Sequence, residues 1–258
     1  MSETAPPIAP PFSRPDQIPV WVGMAIATVV AWYCLLRLPA ATGQRIDMAA
    51  MGVQSGLWGP QRIALTFAMW AVMMAAMMIP SASPTVSVYA LAARSQGNGA
   101  ALRTALFVTG YVLVWTLFSA GATFAQWLLG RYALLSPAAA LTPLAGAAVA
   151  GIAGLYQLTP LKRACLRRCR SPYGFVMTAW RPGGRGALLM GAQYGAICTG
   201  CCWLLMAVLF AAGVMNLLWV AGISLLVLLE KVTAWGELVA RIGAAALIGW
   251  AVLIACGV

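Results

Sequence analysis

Residues 197–206, ICTGCCWLLM, carry three thiols in five positions: Cys198, Cys201 and Cys202. On a helix, positions i, i+3 and i+4 share one side, so the three sulfurs can converge. Met206 continues that row by a turn, and Tyr194 precedes it. A second sulfur-rich stretch, MWAVMMAAMMIP (69–80), sets Met69, Met73 and Met77 four apart, with Met74 and Met78 as a row beside them. Thiolate and thioether are soft donors that favour Cu(I), whereas Mg, Ca and Mn take oxygen ligands. Zinc sites usually complete four ligands from Cys, His or carboxylate. The chain has no histidine, and no such fourth ligand is evident near the three thiols. A monovalent cation held by two thiolates leaves one net negative charge, and bare thiolates in an apolar surrounding are costly. For the methionines alone, packing is the simpler reading, because Met fills irregular gaps. Thiols at matching depth turn the reading toward a metal.

A further pair, Cys165 and Cys169, lies in PLKRACLRRCRSP (160–172) among Lys162, Arg163, Arg167, Arg168 and Arg170. Four-residue spacing puts both on one helical face, and neighbouring cations favour the thiolate. The cations read first as a membrane-surface face. The thiols read as a cytosolic docking or redox pair. Glu230 and Lys231 adjoin in LLEK. Adjacent helical residues face different ways, so they are not a simple pair. Lys231 is expected to snorkel to headgroups, while Glu230 needs either a basic loop residue or a metal, and so enters as an auxiliary ligand candidate.

These groups must be carried by helices in lipid. The 258 residues are 62% hydrophobic and only 8% charged, against about a quarter charged in soluble domains. Runs of roughly 20 apolar residues predict an all-α, polytopic transmembrane bundle of about seven spans over 19–258. The expected spans are 19–38, 61–79, 102–130, 137–159, 186–212, 214–229 and 239–257. Pro80 and Pro84 are expected to stop or kink the second. Residues 1–18, polar and proline-rich, read as a disordered cytosolic tail, and 160–185 as a basic cytosolic loop. At 1.5 Å per residue, Cys198 and Met73 each fall roughly 18 Å into the bilayer from opposite faces, near its midplane. Gly146, Ala150 and Gly154, like Gly191 and Gly195, have the spacing that lets helices approach closely.

The net charge of +11 is distributed, not patched. The N-terminal side takes Arg14, Arg94, Arg103, the seven cations of 160–185, Lys231 and Arg241; Arg37, Arg45, Arg62 and Arg131 fall opposite. Cytoplasmic loops carry the Lys and Arg excess, which predicts an inner-membrane, multi-pass protein with its N-terminus cytoplasmic and its C-terminus outside. The charge is thus a topology signal, and the bilayer rather than nucleic acid is the partner it implies.

Taken together, Trp70, Met73, Met77, Met78 and Pro80, then Lys162, Cys165 and Cys169, then Cys198, Cys201, Cys202, Trp203 and Met206, and finally Met215, Asn216, Glu230 and Lys231 resemble a bacterial family. It is described as predicted metal-binding integral membrane proteins, a domain of unknown function. The resemblance covers about residues 60–255 and implies a polytopic protein that holds a metal, with no reaction attached. Copper transport, or delivery to membrane copper enzymes through a chaperone or a larger complex, is the leading expectation. A thiol-disulfide oxidoreductase using Cys198 and Cys201, and a structural subunit of a complex, are the alternatives. The chain shows no phosphate-cradling glycine loop with a lysine, so nucleotide hydrolysis is not expected.

Overall fold

The structure is a computed structural model that describes residues 18–41, 58–132, 134–135, 140–214 and 216–257. The proposed tail (save Ile18), Arg45 and Met215 lie outside them. Among the described residues the chain is all-helical: α1 (Ile18–Ala41), α2 (Pro60–Arg94), α3 (Ala100–Arg131), α4 (Pro143–Gln157), α5 (Pro160–Cys169), α6 (Pro172–Thr178), α7 (Gly183–Ala212), α8 (Leu217–Val232) and α9 (Gly236–Ala255). Five of these are long and apolar enough to cross a membrane, and α4 with α5 makes a sixth if that bent pair is one span. The remaining long element, α8, has 16 residues, about 24 Å of helix. Large apolar side chains stay exposed along the outer faces, among them Leu117, Leu144 and Leu218, which is consistent with a membrane protein.

Helix directions follow from matched contacts. Trp70 donates to Gln126, Met78 accepts from Tyr111, and Arg103 reaches Ala93, so α2 and α3 run antiparallel. A Cβ on Gly191 would meet the Phe107 carbonyl oxygen at 1.9 Å, and one on Gly110 the Leu188 oxygen at 2.1 Å. Glycine at these two positions is therefore what lets α3 and α7 touch backbone to backbone, in parallel. Gly154 sits against Ile248 and the Ala244 oxygen of α9, the close approach its spacing predicted.

Three boundaries depart from expectation. α2 does not end at Pro80: it runs on to Arg94 with both prolines inside. Pro84 lacks the N–H that would bond the Pro80 carbonyl, and the Ser83 hydroxyl donates to that carbonyl instead, at 2.8 Å. The Ser81 and Tyr111 hydroxyls both donate to the Met78 carbonyl between them, at 2.9 and 3.1 Å. The basic segment is not a loop but two short helices, α5 and α6. α4 ends at Gln157, and α5 starts after a bend of 66°, with Pro160 in the first turn and the Thr159 hydroxyl accepting from the Lys162 amide at 3.2 Å.

Candidate metal centre

Cys198, Cys201 and Cys202 are all buried on α7. Two helices bring further sulfur to them. From α2, the Met78 thioether lies 4.0 Å from the Cys202 sulfur. From α5, the Cys169 sulfur lies 3.9 Å from that of Cys201. Two sulfurs bound to one metal at about 2.3 Å each stand roughly 3.8–4.0 Å apart in tetrahedral or trigonal geometry, so both separations suit a shared ion. The thiols of Cys201 and Cys202 turn back to donate to the Cys198 carbonyl, at 3.0 and 3.1 Å. Accordingly, among the described residues no group of three or more Cys, Asp, Glu or His is already arranged around one point. To hold an ion, those two thiols would have to release the Cys198 carbonyl.

The Cys198 sulfur faces a different set of neighbours. The Lys231 ammonium donates to it at 2.8 Å and to the Ser81 hydroxyl at 3.2 Å, and the Tyr111 hydroxyl lies 3.2 Å away. Lys231 is thus turned into the bundle, only 7% exposed, and does not snorkel. The reason is its neighbour. One helical step rotates about 100°, so with Glu230 facing α5, Lys231 points toward α2 and α7.

Glu230 finds the basic loop residue that its burial demanded: Lys162 of α5, at 2.7 Å, in an ion pair exposed 0% and 1%. Gln157 completes the triad, donating to Glu230 at 2.8 Å and accepting from Lys162. The carboxylate is therefore committed to charge and amide partners. This triad also fixes the bend between α4 and α5, and Arg170 holds the far end of α5 by donating to the carbonyls of Thr233 and Ala234.

Fixing α5 there explains Cys169, which is buried at 4% and reaches the Cys201 thiol instead of lying exposed beside the arginines. Cys165 is half-buried, its sulfur 3.3 Å from where a Gly200 Cβ would sit. Tyr156 donates to the Gly200 carbonyl on the same side. The other thioethers, of Met69, Met73, Met74, Met77 and Met206, are buried in the same core. Met78, rather than Met73, is the α2 residue at the thiols.

The level of the cluster is set by Lys231. That residue is the penultimate one of α8, so Cys198 lies level with the end of this short helix rather than its middle, where α5 packs on the bundle. Sequence reading took Lys231 for a headgroup anchor and missed Tyr111 and Ser81. The one available signal was the adjacency of Glu230 and Lys231, which obliges two buried charges to face different partners.

The fold and site define a helical bundle, with helices apolar enough for a membrane, built around buried soft donors from three helices. A family model described as a copper chaperone, PpoB2, matches residues 67–254, a span that takes in every one of these sulfurs, and the chain belongs to that family. No curated protein and no solved structure matches the chain.

Proposed function

We propose that this chain is a multi-pass inner-membrane protein that accepts Cu(I) on Cys198, Cys201 and Cys202, with Met78 as a neutral thioether partner and Cys169 as the thiol that connects the cluster to the basic cytoplasmic face. The observation that carries this reading is the pair of sulfur contacts that α7 makes with its neighbours, Cys201 with Cys169 of α5 at 3.9 Å and Cys202 with Met78 of α2 at 4.0 Å, on the helix that also carries Cys198. All are soft, which suits Cu(I) over harder ions. Family membership supports a copper role. The remaining α2 methionines, Met69, Met73, Met74 and Met77, extend the thioether row toward the opposite end of α2, and neutral thioethers pass a monovalent cation without exchanging protons. Delivery to a membrane copper enzyme follows as the use of such a site.

Elemental analysis of protein purified under reducing conditions tests this. About one copper per chain is expected, falling below a tenth of that when Cys198, Cys201 and Cys202 become Ser. Unchanged copper in that variant would end the proposal.

A second reading draws on one observation. Cys169 and Cys201 lie 3.9 Å apart on different helices, a second cysteine pair placed for thiol-disulfide exchange beside Cys198 and Cys201. A disulfide isolated between Cys169 and Cys201 from unreduced membranes, with no copper bound at any stage, would favour it.

A further inference from the structure

The basic face beside the thiols is not flat. A crevice of about 640 Å³ opens between α5, α6 and α7, and Arg167, Arg168, Ser171, Arg181, Gln193 and Ile197 line it. Its three arginines are exposed. Only Arg167 has a carboxylate, Glu237 at 3.4 Å, and both members of that pair are exposed, so it offsets little charge. Among the described residues, the guanidinium groups of Arg168 and Arg181 have no hydrogen-bond or ion-pair partner. Other arginines of the same face are used up on backbone: Arg163 on the Leu158 carbonyl and Arg170 on those of Thr233 and Ala234. The crevice thus presents unspent forks for carboxylate or phosphate.

Its walls lead to sulfur. Arg168 adjoins Cys169 and lies one turn from Cys165 on α5, and Ile197 lies one turn before Cys201 on α7. Cys165, one turn before Cys169 on α5, is half-buried over Gly200, the residue next to Cys201. The volume is that of a small-ligand site and too small for a protein domain.

We infer that this crevice binds a small thiol bearing carboxylates, and that it receives Cu(I) as the anionic thiolate complex of such a carrier. The inference rests on the copper reading above for its purpose but not for its binding chemistry. A Cu(I) bis-thiolate is an anion before its side groups are counted, and carboxylates add to that charge, so the arginines attract the loaded carrier over the bare cation. Transfer is ligand exchange with no change of oxidation state. A copper–sulfur bond to the carrier breaks, one to Cys165 or Cys201 forms, and the proton leaving the cysteine goes to the departing carrier thiolate.

The test uses full-length protein in discs of zwitterionic lipid. The probes are reduced glutathione, its Cu(I) complex, and the Cu(I) complex of dithiothreitol, a thiol without carboxylates. In the Arg168→Gln, Arg181→Gln double variant, metal-free glutathione should bind about tenfold more weakly, and Cu(I) transfer from glutathione should slow by a similar factor. Transfer from dithiothreitol and the final copper content should stay within twofold. Raising KCl from about 0.1 to 0.5 M should mimic the variant. Equal slowing with both donors, or no effect on glutathione binding, overturns the inference. Displacement of glutathione when the discs contain phosphatidylglycerol also overturns it, assigning the arginines to lipid. No copper uptake from either donor, with glutathione binding still arginine-dependent, would sink the copper reading and leave the crevice standing.

Discussion

Two lysines are buried in this bundle, and they live in different chemistry. Lys162 has the carboxylate of Glu230 at 2.7 Å and the amide of Gln157. Lys231, on the residue next to Glu230, has a thiol at 2.8 Å and a hydroxyl at 3.2 Å. The first is a closed ion pair that pins α5 across the end of α8. The second is an ammonium aimed at sulfur, with no carboxylate in ion-pair reach among the described residues. A buried cation is costly unless something near it can carry negative charge. At Lys162 that partner is built in. At Lys231 it is the Cys198 thiol, which the proposed function makes a copper ligand. Identical side chains thus serve framework in one place and site in the other.

Breaking the framework pair should have the largest effect. Lys162→Met leaves Glu230 buried and unpaired, and should cost about 3–5 kcal/mol of stability, read as a lowered Tm in detergent. Adding Glu230→Met should recover most of that loss, since replacing both members of such a pair with apolar groups is often neutral. An unrecovered double variant would show that Glu230 does something besides meet Lys162.

Lys231→Met should act in the opposite way. Its partner is left as a neutral thiol, so Tm should move little. Cu(I) affinity, measured by competition with a chromophoric chelator, should fall roughly 10- to 100-fold, the worth of one hydrogen bond to a charged group. A Tm loss as large as that of Lys162→Met would erase the distinction between the two sites. Smallest of all, Ser81→Ala removes the hydroxyl from Lys231 and should cost no more than about 1 kcal/mol in Tm-derived stability, with affinity nearly unchanged.

Much of this architecture was legible in the residues. The apolar runs gave the order of the long helices, because in lipid the length of an apolar segment is the dominant constraint. Gly191 and Gly154 announced close crossings, and the glycines do sit against backbone oxygens. Spacing alone put Cys198, Cys201 and Cys202 on one face. Glu230 demanded a partner, and a basic loop residue was one of two candidates. What spacing did not carry was long-range compensation. Pro80 and Pro84 read as a stop or a kink because the Ser83 hydroxyl, which takes over the carbonyl that Pro84 leaves without a partner, is a side-chain bond that no helical period encodes. The burial of Cys169 was not legible because it depends on the 66° bend after α4, held by Lys162 and Gln157, which turns one face of a basic helix toward α7. Lys231 looked like a surface anchor because periodicity reports which way a side chain points, not what waits there.

The central claim is that Cu(I) is held by sulfur in the cluster where α2, α5 and α7 meet. X-ray absorption at the copper edge, on protein loaded with Cu(I) under reducing conditions, tests it most directly. Two or three sulfur neighbours at roughly 2.3 Å, with one lost in the Cys202→Ser variant, is the predicted result. A shell of nitrogen or oxygen, or a sulfur shell indifferent to Cys198, Cys201 and Cys202, would contradict it.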